Sequence, residues 1–392
     1  MADFQYLIVG GGMTADAAVR GIRQVDLSGK IGIISNEGHP PYDRPPLSKS
    51  LWEGESLEKV WRKTAGENVE IHLSRTARSI DAKKKCVVDD EGTIYSFEKL
   101  LLATGGRARR LPWNMEGIIY FRTLDDYQKL RALTEQGERF AVIGGGFIGS
   151  EISAALAMNH KSVTMIFPED GIGSRVYPSA LSRFLNSFYQ SKGVEVLAGN
   201  QVSDIEKRGA KFIVRTPSGR QLEVDGVVAG IGILPNVQLA QSAGLAVENG
   251  IRVDEFLRTT HLDIYGAGDV ANFYNPALDK TIRVEHEDNA NTMGEIVGKN
   301  MAGSTTPYHH LPFFYSDLFE LGYEAVGELD ARYETIQDWK EEFHEGVVYY
   351  LKAGRVRGVL LWNTWGQVDA ARKLIAERGP FDARNVRGRL AS

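Results

Sequence analysis

The fold of this chain is decided near its N-terminus by the stretch Tyr6-Leu-Ile-Val-Gly10-Gly-Gly12-Met-Thr-Ala15. An apolar run typical of a β-strand precedes the glycines, and an alanine-rich segment typical of a helix follows them. The same arrangement returns in Phe140-Ala-Val-Ile-Gly144-Gly-Gly146-Phe-Ile-Gly149. A glycine-rich turn between a strand and a helix is typical of dinucleotide sites, because it lets backbone N–H groups approach a pyrophosphate. One such motif is weak evidence, but two in this context indicate two bound dinucleotides and electron transfer between them.

The composition is that of a large globular protein. The chain has 392 residues, of which 43% are hydrophobic and 25% are charged, so we expect two or three domains with sizeable cores. The formal net charge of −5 is too small to indicate binding to nucleic acid or to a membrane surface. No apolar run has the length of a membrane span, and the first strand begins too early to leave room for a cleavable signal, which predicts a cytoplasmic protein.

The chain has a single cysteine, Cys86. A lone cysteine excludes a disulfide within the chain and a redox-active pair of thiols. We expect Cys86 to lie in a strand as a small apolar residue rather than to act as a reactive thiol.

An acidic residue follows the second strand of each dinucleotide unit, where such folds bind a ribose hydroxyl. Glu37 follows Lys30-Ile-Gly-Ile-Ile-Ser35, and Glu169 follows Ser162-Val-Thr-Met-Ile166. A carboxylate at Glu169 repels a 2′-phosphate, so we expect NADH to be preferred over NADPH, and Arg175 would weaken that preference. A solvated loop carboxylate is the alternative interpretation of Glu37.

The remaining segments predict further sheets. Two antiparallel layers are expected from the alternating segments 69–73, 77–81, 85–89 and 93–97, and then 194–198, 211–216 and 221–229. Gly266-Ala-Gly-Asp269 is interpreted as a strand end that leads into a helix N-terminus, where backbone N–H groups hold phosphate or ribitol hydroxyls. An α+β domain is expected at the C-terminus from strands near 323–329, 343–351 and 355–362 and a helix near 366–377.

The chain resembles the pyridine-nucleotide-dependent flavoprotein oxidoreductases of the ferredoxin and rubredoxin reductase type, and most of all their apoptosis-inducing-factor-like branch. The resemblance covers essentially the whole chain. It is carried by Gly10–Ala15, Arg44-Pro-Pro-Leu-Ser-Lys-Ser-Leu-Trp52, Ala103-Thr-Gly-Gly106, Gly144-Gly-Gly-Phe-Ile-Gly-Ser-Glu151, Phe167-Pro-Glu169, Gly266-Ala-Gly-Asp269, Val284-Glu-His286, Tyr315-Ser-Asp317, Gly322-Tyr-Glu324 and Val359-Leu-Leu-Trp-Asn363.

The resemblance implies an α/β fold with two Rossmann-like domains of the glutathione-reductase type and an α+β C-terminal domain. In this division, residues 1–111 and 241–307 form the FAD-binding domain, residues 112–240 form the NAD(H)-binding domain, and residues 308–392 form the C-terminal domain.

The resemblance also implies which residues contact the cofactors. The FAD contacts are Gly10, Gly12, Met13, Thr14, Ala15, Glu37, Arg44, Lys49, Ala77, Ala103, Thr104, Gly105, Arg109, Gly268, Asp269, His286 and Tyr315. The NAD(H) contacts are Gly144, Gly146, Phe147, Ile148, Glu151, Glu169, Arg175, Gly230, Glu285, Glu324 and Asn363.

Lys49 and Glu151 are the implied catalytic residues, paired beside the reactive edge of the flavin. Without the resemblance, Lys49 would be interpreted as a solvated loop lysine, and Glu151 as an acidic residue in the first turn of a helix, where it complements the helix dipole. Glu285 and His286 resemble a metal cluster, but their spacing fits no common zinc pattern, so no metal is predicted. His309 and His310 are interpreted as ordinary loop residues.

The implied activity is hydride transfer from NADH to FAD, followed by transfer of electrons to an external acceptor, most simply a ferredoxin or a rubredoxin. Tyr315 stands where relatives often have tryptophan, and Tyr315-Ser-Asp-Leu-Phe319 replaces the usual Trp-Ser-Asp-Gln, which leaves the acceptor open. The stretch Arg107–Arg110 offers a basic docking patch for an acidic partner, or serves FAD phosphate and solubility.

Two other functions are compatible with the sequence. One is a slow NADH oxidoreductase, like the apoptosis-inducing factors, that forms a stable charge-transfer complex and acts as a redox-responsive, dimerising interaction protein. The other is a reductase of a quinone, oxygen or a small molecule. The long C-terminal insertion of the eukaryotic apoptosis factor is absent, so an apoptotic role is not expected.

Overall fold

The computed structural model describes residues 2–113 and 115–390. Its strands are β1 (Ala2–Val9), β2 (Ile31–Ile34), β3 (Val69–His72), β4 (Ala77–Asp81), β5 (Cys86–Asp89), β6 (Ile94–Leu102), β7 (Gly106–Ala108), β8 (Arg139–Ile143), β9 (Ser162–Ile166), β10 (Val194–Leu197), β11 (Asp204–Arg208), β12 (Lys211–Arg215), β13 (Gln221–Val224), β14 (Gly226–Ala229), β15 (Ile233–Pro235), β16 (Val247–Glu248), β17 (Gly250–Arg252), β18 (Ile264–Gly266), β19 (Ala271–Asn275), β20 (Lys280–Ile282), β21 (Phe313–Leu318), β22 (Leu321–Gly327), β23 (Glu334–Glu341), β24 (Glu345–Lys352) and β25 (Arg355–Trp362). Its helices are α1 (Met13–Arg23), α2 (Leu124–Gln136), α3 (Phe147–Met158), α4 (Ser179–Ser191), α5 (Gln238–Ser242), α6 (Glu287–Met301), α7 (Val368–Ala376) and α8 (Ala383–Val386).

The chain divides into two compact units, and each contains one of the two glycine motifs. The first unit consists of Met1–Arg44, Ser56–Arg107 and Leu234–Pro312. The second consists of Pro45–Glu55, Ala108–Ile233 and Phe313–Ser392. The finer division into an interrupted FAD domain, an NAD(H) domain and a C-terminal domain stays a proposal.

The first unit is built on a seven-stranded sheet with the order β3-β2-β1-β6-β5-β4, and β18 also pairs with β6. β1 runs parallel to both β2 and β6, and its residues from Tyr6 to Val9 are all buried. A strand covered on both faces needs such a continuous apolar run, which is why the sequence here does not alternate. The arrangement carries the first glycine turn, after β1, to the edge where ligands bind in parallel sheets.

Two expectations for the first unit were wrong. The segment near 69–73 is β3, which pairs in parallel with β2, so only β4, β5 and β6 form the antiparallel part of the sheet. The end of Gly266-Ala-Gly-Asp269 forms part of a three-residue 3₁₀ turn, Gly268–Val270. This turn is followed by the strand β19 and not by the expected α-helix. Cys86 begins β5, as expected, and is partly buried.

Among its described residues, the second unit contains three sheets of three or more strands. A parallel sheet has the order β10-β9-β8-β14, an antiparallel sheet has the order β11-β12-β13, and a five-stranded antiparallel sheet has the order β21-β22-β25-β24-β23. The five-stranded sheet and α7 form the predicted α+β part, and the predicted fold class is confirmed.

The expected antiparallel layer of the second unit was partly wrong. The segment near 194–198 is β10, which pairs in parallel with β9. The segment 221–229 splits into β13, which is antiparallel to β12, and β14, which is parallel to β8. The strand β11 was missed. Both β3 and β10 are edge strands of their sheets. An edge strand that is only partly buried can alternate in polarity whether its neighbour is parallel or antiparallel, so the sequence pattern could not assign the pairing.

Among the described residues, no helix combines the length and the apolar character that crossing a membrane requires.

Candidate cofactor and active site

The first glycine turn is shaped to bring backbone close to a ligand. Gly10 has φ +115°, and a Cβ there would clash with the carbonyl oxygen of Ala103, so this position requires glycine. Gly12 precedes α1, and no side chain caps the helix there. A Cβ at Gly12 would meet only the Nη2 of Arg44, at 3.9 Å. The first N–H groups of α1 therefore face open space beside a cation, as a diphosphate requires.

Glu37 is held in place at the end of β2. Tyr42 donates a hydrogen bond from its hydroxyl to Oε2 of Glu37 at 2.6 Å, and Arg44 pairs with Oε1. Burial acts to lower the pKa of Arg44, but the negative charges of Glu37 and Asp269 outweigh it, and the pKa is raised. The carboxylate at the expected ribose position is thus oriented rather than loose, and Arg44 stays charged.

The structure brings the Gly268–Asp269 turn against the first glycine turn. A Cβ at Gly268 would clash with Oγ1 of Thr14. Arg283 donates from Nη1 to the carbonyl oxygen of Asp269 at 3.0 Å and pairs with Glu285 at 2.5 Å. His286 is the residue immediately before α6. These predicted contact residues therefore lie at one end of the first unit.

The segment after β6 is fixed by an asparagine that the sequence reasoning missed. Thr104 donates from Oγ1 to the carbonyl oxygen of Asn236 at 2.7 Å, and Asn236 donates from Nδ2 to the carbonyl oxygen of Thr104 at 2.9 Å. The backbone N–H of Asn236 also donates to Gly105, at 2.9 Å. Of the other predicted FAD contacts, Ala77 opens the edge strand β4. Arg109 is exposed and donates its backbone N–H to Gly232 at 2.9 Å.

The second glycine turn repeats the geometry of the first. Gly144 has φ +114°, and a Cβ there would clash with the carbonyl oxygen of Gly230. Gly146 precedes α3 without a side-chain cap, and a Cβ at that position would have no neighbour within 4 Å. Phe147 packs edge-on against Phe314, with ring centroids 5.4 Å apart. The N-terminus of α3 is therefore a second open site for a diphosphate.

Glu169 lies just beyond β9, where a ribose would be bound. Its carboxylate pairs with Nη2 of Arg175 at 2.5 Å. Arg175 is 84% exposed, whereas Glu169 is 27% exposed. An exposed arginine therefore neutralises part of the charge that is expected to reject a 2′-phosphate.

The centre of the second unit is the buried carboxylate of Glu151, which is 4% exposed. Lys49 lies with its Nζ 2.5 Å from Oε1 of Glu151. Ser316 donates to the same oxygen at 2.5 Å, and Ser48 donates to Oε2 at 2.6 Å. The Nζ of Lys49 also lies 5.3 Å from the ring centroid of Tyr315. Both catalytic candidates and the predicted aromatic residue therefore lie in one cluster.

The sequence suggested that Glu151 lies in the first turn of its helix, and this prediction was wrong. α3 begins at Phe147, which makes Glu151 its fifth residue. Its role is therefore separate from the helix dipole at the open N-terminus, because that effect falls off within the first turn. Ser48 and Ser316 were not predicted as site residues. Ser48 directly precedes Lys49 and Ser316 directly follows Tyr315 in the motifs quoted above.

Three buried tyrosines are influenced by the charge of the Glu151 carboxylate. Burial raises the pKa values of Tyr177, Tyr189 and Tyr323 well above their usual range, and the negative charge of Glu151 contributes to each shift. Tyr189 donates its hydroxyl to the carbonyl oxygen of Ser150 at 3.1 Å. These tyrosines carry no charge, and Lys49 supplies the positive charge that balances Glu151.

The side chains of Glu324 and Asn363 form hydrogen bonds with backbone groups of the same chain. The backbone N–H of Gly366 donates to Oε2 of Glu324 at 3.1 Å. The Asn363 side chain accepts from the N–H of Gly322 at 2.7 Å and donates to the carbonyl oxygen of His344 at 2.9 Å. These bonds support a structural role in the five-stranded sheet, and contact with NAD(H) stays a prediction.

A family model described as pyridine nucleotide-disulphide oxidoreductase matches residues 4–294. The chain belongs to this family. A second model, the mitochondrion-associated C-terminal region of apoptosis-inducing factor, matches residues 297–341 and 336–377. The predicted family and enzyme class are therefore confirmed, and the second match agrees with the predicted resemblance to the apoptosis-inducing-factor-like branch.

Named relatives align along nearly the whole of this oxidoreductase. Apoptosis-inducing factor 1 of Dictyostelium discoideum is 34% identical, over 97% of this chain and 80% of the relative. The ferredoxin–NAD(+) reductase component of the anthranilate 1,2-dioxygenase system of Burkholderia cepacia is 33% identical, over 95% of this chain and 94% of the relative. The reductase in a covalent putidaredoxin reductase–putidaredoxin complex superposes with a TM-score of 0.90 at 29% identity, covering 98% of this chain and 95% of that chain.

The oxidoreductase uses FAD and NAD(H), the cofactors of its family. Its two open helix N-termini, each beside a carboxylate at a ribose position, fit two dinucleotides. Gly12 and Gly146 leave space that any larger side chain would occupy. Which individual side chains touch each cofactor stays a prediction.

Proposed function

We propose that this oxidoreductase uses NADH to reduce a small iron–sulfur protein of the ferredoxin or rubredoxin type. The observation that carries the proposal is the Lys49–Glu151 ion pair beside Tyr315, a built polar site in a chain that has no pair of thiols. The family description includes disulphide chemistry, which Cys86 alone cannot perform within one chain. Electrons that reach the flavin therefore leave it directly.

Bound FAD supplies a group that accepts a hydride and releases electrons one at a time. The chain's own residues would bind the two dinucleotides and orient them. The N-terminus of α1 and Arg44 hold the FAD diphosphate, Glu37 accepts hydrogen bonds from its ribose, and the N-terminus of α3 holds the diphosphate of NADH. Lys49 places a fixed positive charge where negative charge develops, and Glu151 holds the lysine in position.

The relatives support a protein acceptor. One is the reductase component of a dioxygenase system, and another was solved together with putidaredoxin. We also propose a cytoplasmic location, together with a homodimer that responds to NADH.

The test is steady-state oxidation of NADH by the FAD-loaded protein with a ferredoxin, a rubredoxin, a quinone or oxygen as the acceptor. We expect the iron–sulfur proteins to give a kcat/KM at least tenfold above that of the quinone or oxygen. Lys49→Ala should lower kcat/KM with every acceptor, and Lys129→Ala, on an exposed position of α2, is the control for nonspecific effects of removing a lysine. Equal rates with all acceptors would contradict the proposal.

A second candidate is a redox-responsive interaction protein, and the C-terminal match to apoptosis-inducing factor favours it. It predicts slow turnover with every acceptor, a long-lived charge-transfer absorbance band after NADH is added, and a change of oligomeric state. Analytical ultracentrifugation with and without NADH, combined with the lifetime of that band, separates it from the reductase.

A further inference from the structure

Arg62 is a largely buried arginine, 12% exposed, that joins three elements of the first unit. Its Nε donates to Oδ1 of Asp43 at 2.7 Å. Its Nη1 donates to Oδ2 of Asp16, in α1, at 3.2 Å, and its Nη2 donates to Oδ1 of Asn291, in α6, at 2.8 Å. One guanidinium therefore fixes the loop before Arg44, the start of α1 and the start of α6 relative to each other.

Two of these partners, Asp16 and Asp43, are sequence neighbours of residues that form the first glycine turn or lie beside it. Asp16 follows Ala15 directly, and Nη1 of Arg62 also reaches the carbonyl oxygen of Met13 at 3.4 Å. Thr64 donates from Oγ1 to the other oxygen of Asp16 at 2.7 Å. Asp43 precedes Arg44, whose Nη2 lies beside Gly12. The Arg62 network thus connects the segment that carries the open helix N-terminus to the segment that carries the cation beside it.

We infer that Arg62 is a positioning residue for the FAD diphosphate site. It acts through Asp16, Asp43 and Asn291 by keeping the N–H groups of α1 and the guanidinium of Arg44 in the arrangement that binds a diphosphate. Lysine cannot replace it, because Arg62 bonds its three partners from three separate nitrogens of a rigid planar fork, whereas the three donors of a lysine ammonium all lie on one nitrogen. The inference rests on FAD occupying the first glycine turn, as proposed above.

Arg23 provides a matched control at the opposite end of α1. Its Nε donates to the carbonyl oxygen of Glu67 at 2.9 Å, and its Nη1 donates to those of Asp26 and Gly29 at 3.1 Å and 2.9 Å. Arg23 therefore fastens the same helix through several bonds but lies away from the turn. Loss of its bonds weakens the fold without changing the diphosphate site.

The experiment compares Arg62→Lys with Arg23→Lys in the full-length chain. The dissociation constant of FAD is measured by quenching of FAD fluorescence on addition of apoprotein, and the melting temperature of each apoprotein is measured in parallel. We expect Arg62→Lys to raise the dissociation constant about tenfold, the loss of about 1.4 kcal/mol. We expect Arg23→Lys to stay within twofold of wild type, although both variants lower the melting temperature.

Asn291→Ala keeps the test decisive if Arg62→Lys does not fold, because it removes one bond of the network and leaves both aspartates paired. We expect it to raise the dissociation constant about threefold, with an unchanged melting temperature of the apoprotein. FAD binding as tight as wild type in the folded variants of the network, or equal weakening by Arg23→Lys, overturns the inference. Failure of the wild-type apoprotein to bind FAD would instead overturn the proposed function.

Discussion

The ammonium of Lys49 lies 2.5 Å from Oε1 of the Glu151 carboxylate, which is buried and also accepts hydrogen bonds from two serines. A buried carboxylate is tolerated when its charge is paired and its oxygens are hydrogen-bonded, and here both conditions are met. Together with Ser316, the pair joins the segment Arg44–Trp52 to α3 and β21, three segments that are far apart in the sequence. It is the arrangement on which the proposed chemistry depends.

Replacing Lys49 with alanine should slow reduction of the flavin by NADH while FAD remains bound. We expect a loss of about 100-fold, typical of removing one oriented charge from a reaction site. Stopped-flow decay of the flavin absorbance measures the rate, and the FAD content of the purified protein checks binding. Lys129→Ala is the control, and an unchanged rate in Lys49→Ala would falsify the role.

Removing Ser316 should destabilise the second unit. Ser316→Ala deletes one hydrogen bond to the buried Glu151 carboxylate, so we expect the free energy of unfolding to fall by about 1–3 kcal/mol. The control variant Ser50→Ala removes a hydroxyl that bonds the partly exposed Glu55 rather than Glu151, and should change the free energy of unfolding by less than about 0.5 kcal/mol. Urea unfolding of both variants measures the difference, and equal effects would show that the serine adds nothing specific to Glu151.

Gly146→Ala should separate nucleotide binding from folding. The position has φ −88° and open space around it, so a methyl group is accommodated but projects towards the bound diphosphate. We expect an unchanged melting temperature and a KM for NADH raised about tenfold. Gly144→Ala, by contrast, clashes with backbone and should lower the melting temperature. An unaltered KM in Gly146→Ala would place the nucleotide elsewhere.

Replacing Glu169 with alanine should relax the preference for NADH. The variant removes the charge that opposes a 2′-phosphate and frees Arg175 to bind one. We expect the ratio of kcat/KM for NADH to that for NADPH to fall at least tenfold, mainly through the KM for NADPH. Arg175→Ala should raise the same ratio. A wild-type enzyme that uses the two coenzymes equally would contradict the argument.

Stability in acid should depend on Asp263. Hydrogen bonds from Lys85 and Lys99, at 2.5 Å and 2.6 Å, lower the pKa of this carboxyl to about 2. Because the folded pKa lies below the usual value of 3.8, the contribution is fully present above pH 3.8 and is lost as the pH falls through about 2.

The corresponding measurement is the urea midpoint between pH 6 and pH 2.5. Asp263→Asn should lower the midpoint at pH 6 and flatten its fall in acid, whereas Glu98→Gln, an exposed neighbour of Lys99, should leave the profile as it is in wild type. Parallel profiles for wild type and Asp263→Asn would rule out this contribution.

Much of the molecule could be predicted from local sequence. The two glycine turns, their strands and helices, and the acids after β2 and β9 follow from short patterns, because each pattern is required by the backbone geometry next to it. Pairing was less predictable. β3 and β10 have an alternating pattern that any partly exposed edge strand can have, and only the neighbouring strand makes them parallel.

By itself, the sequence determined that this protein binds two dinucleotides and passes electrons without a thiol pair, because the glycine spacing and the cysteine content do not depend on tertiary contacts. The tertiary structure decided that Ser48 and Ser316 complete the Glu151 site and that Arg62 ties Asp16, Asp43 and Asn291 together. A buried charge is satisfied by whichever donors the folded chain brings within about 3 Å, and that proximity between distant segments is not recorded in any local pattern.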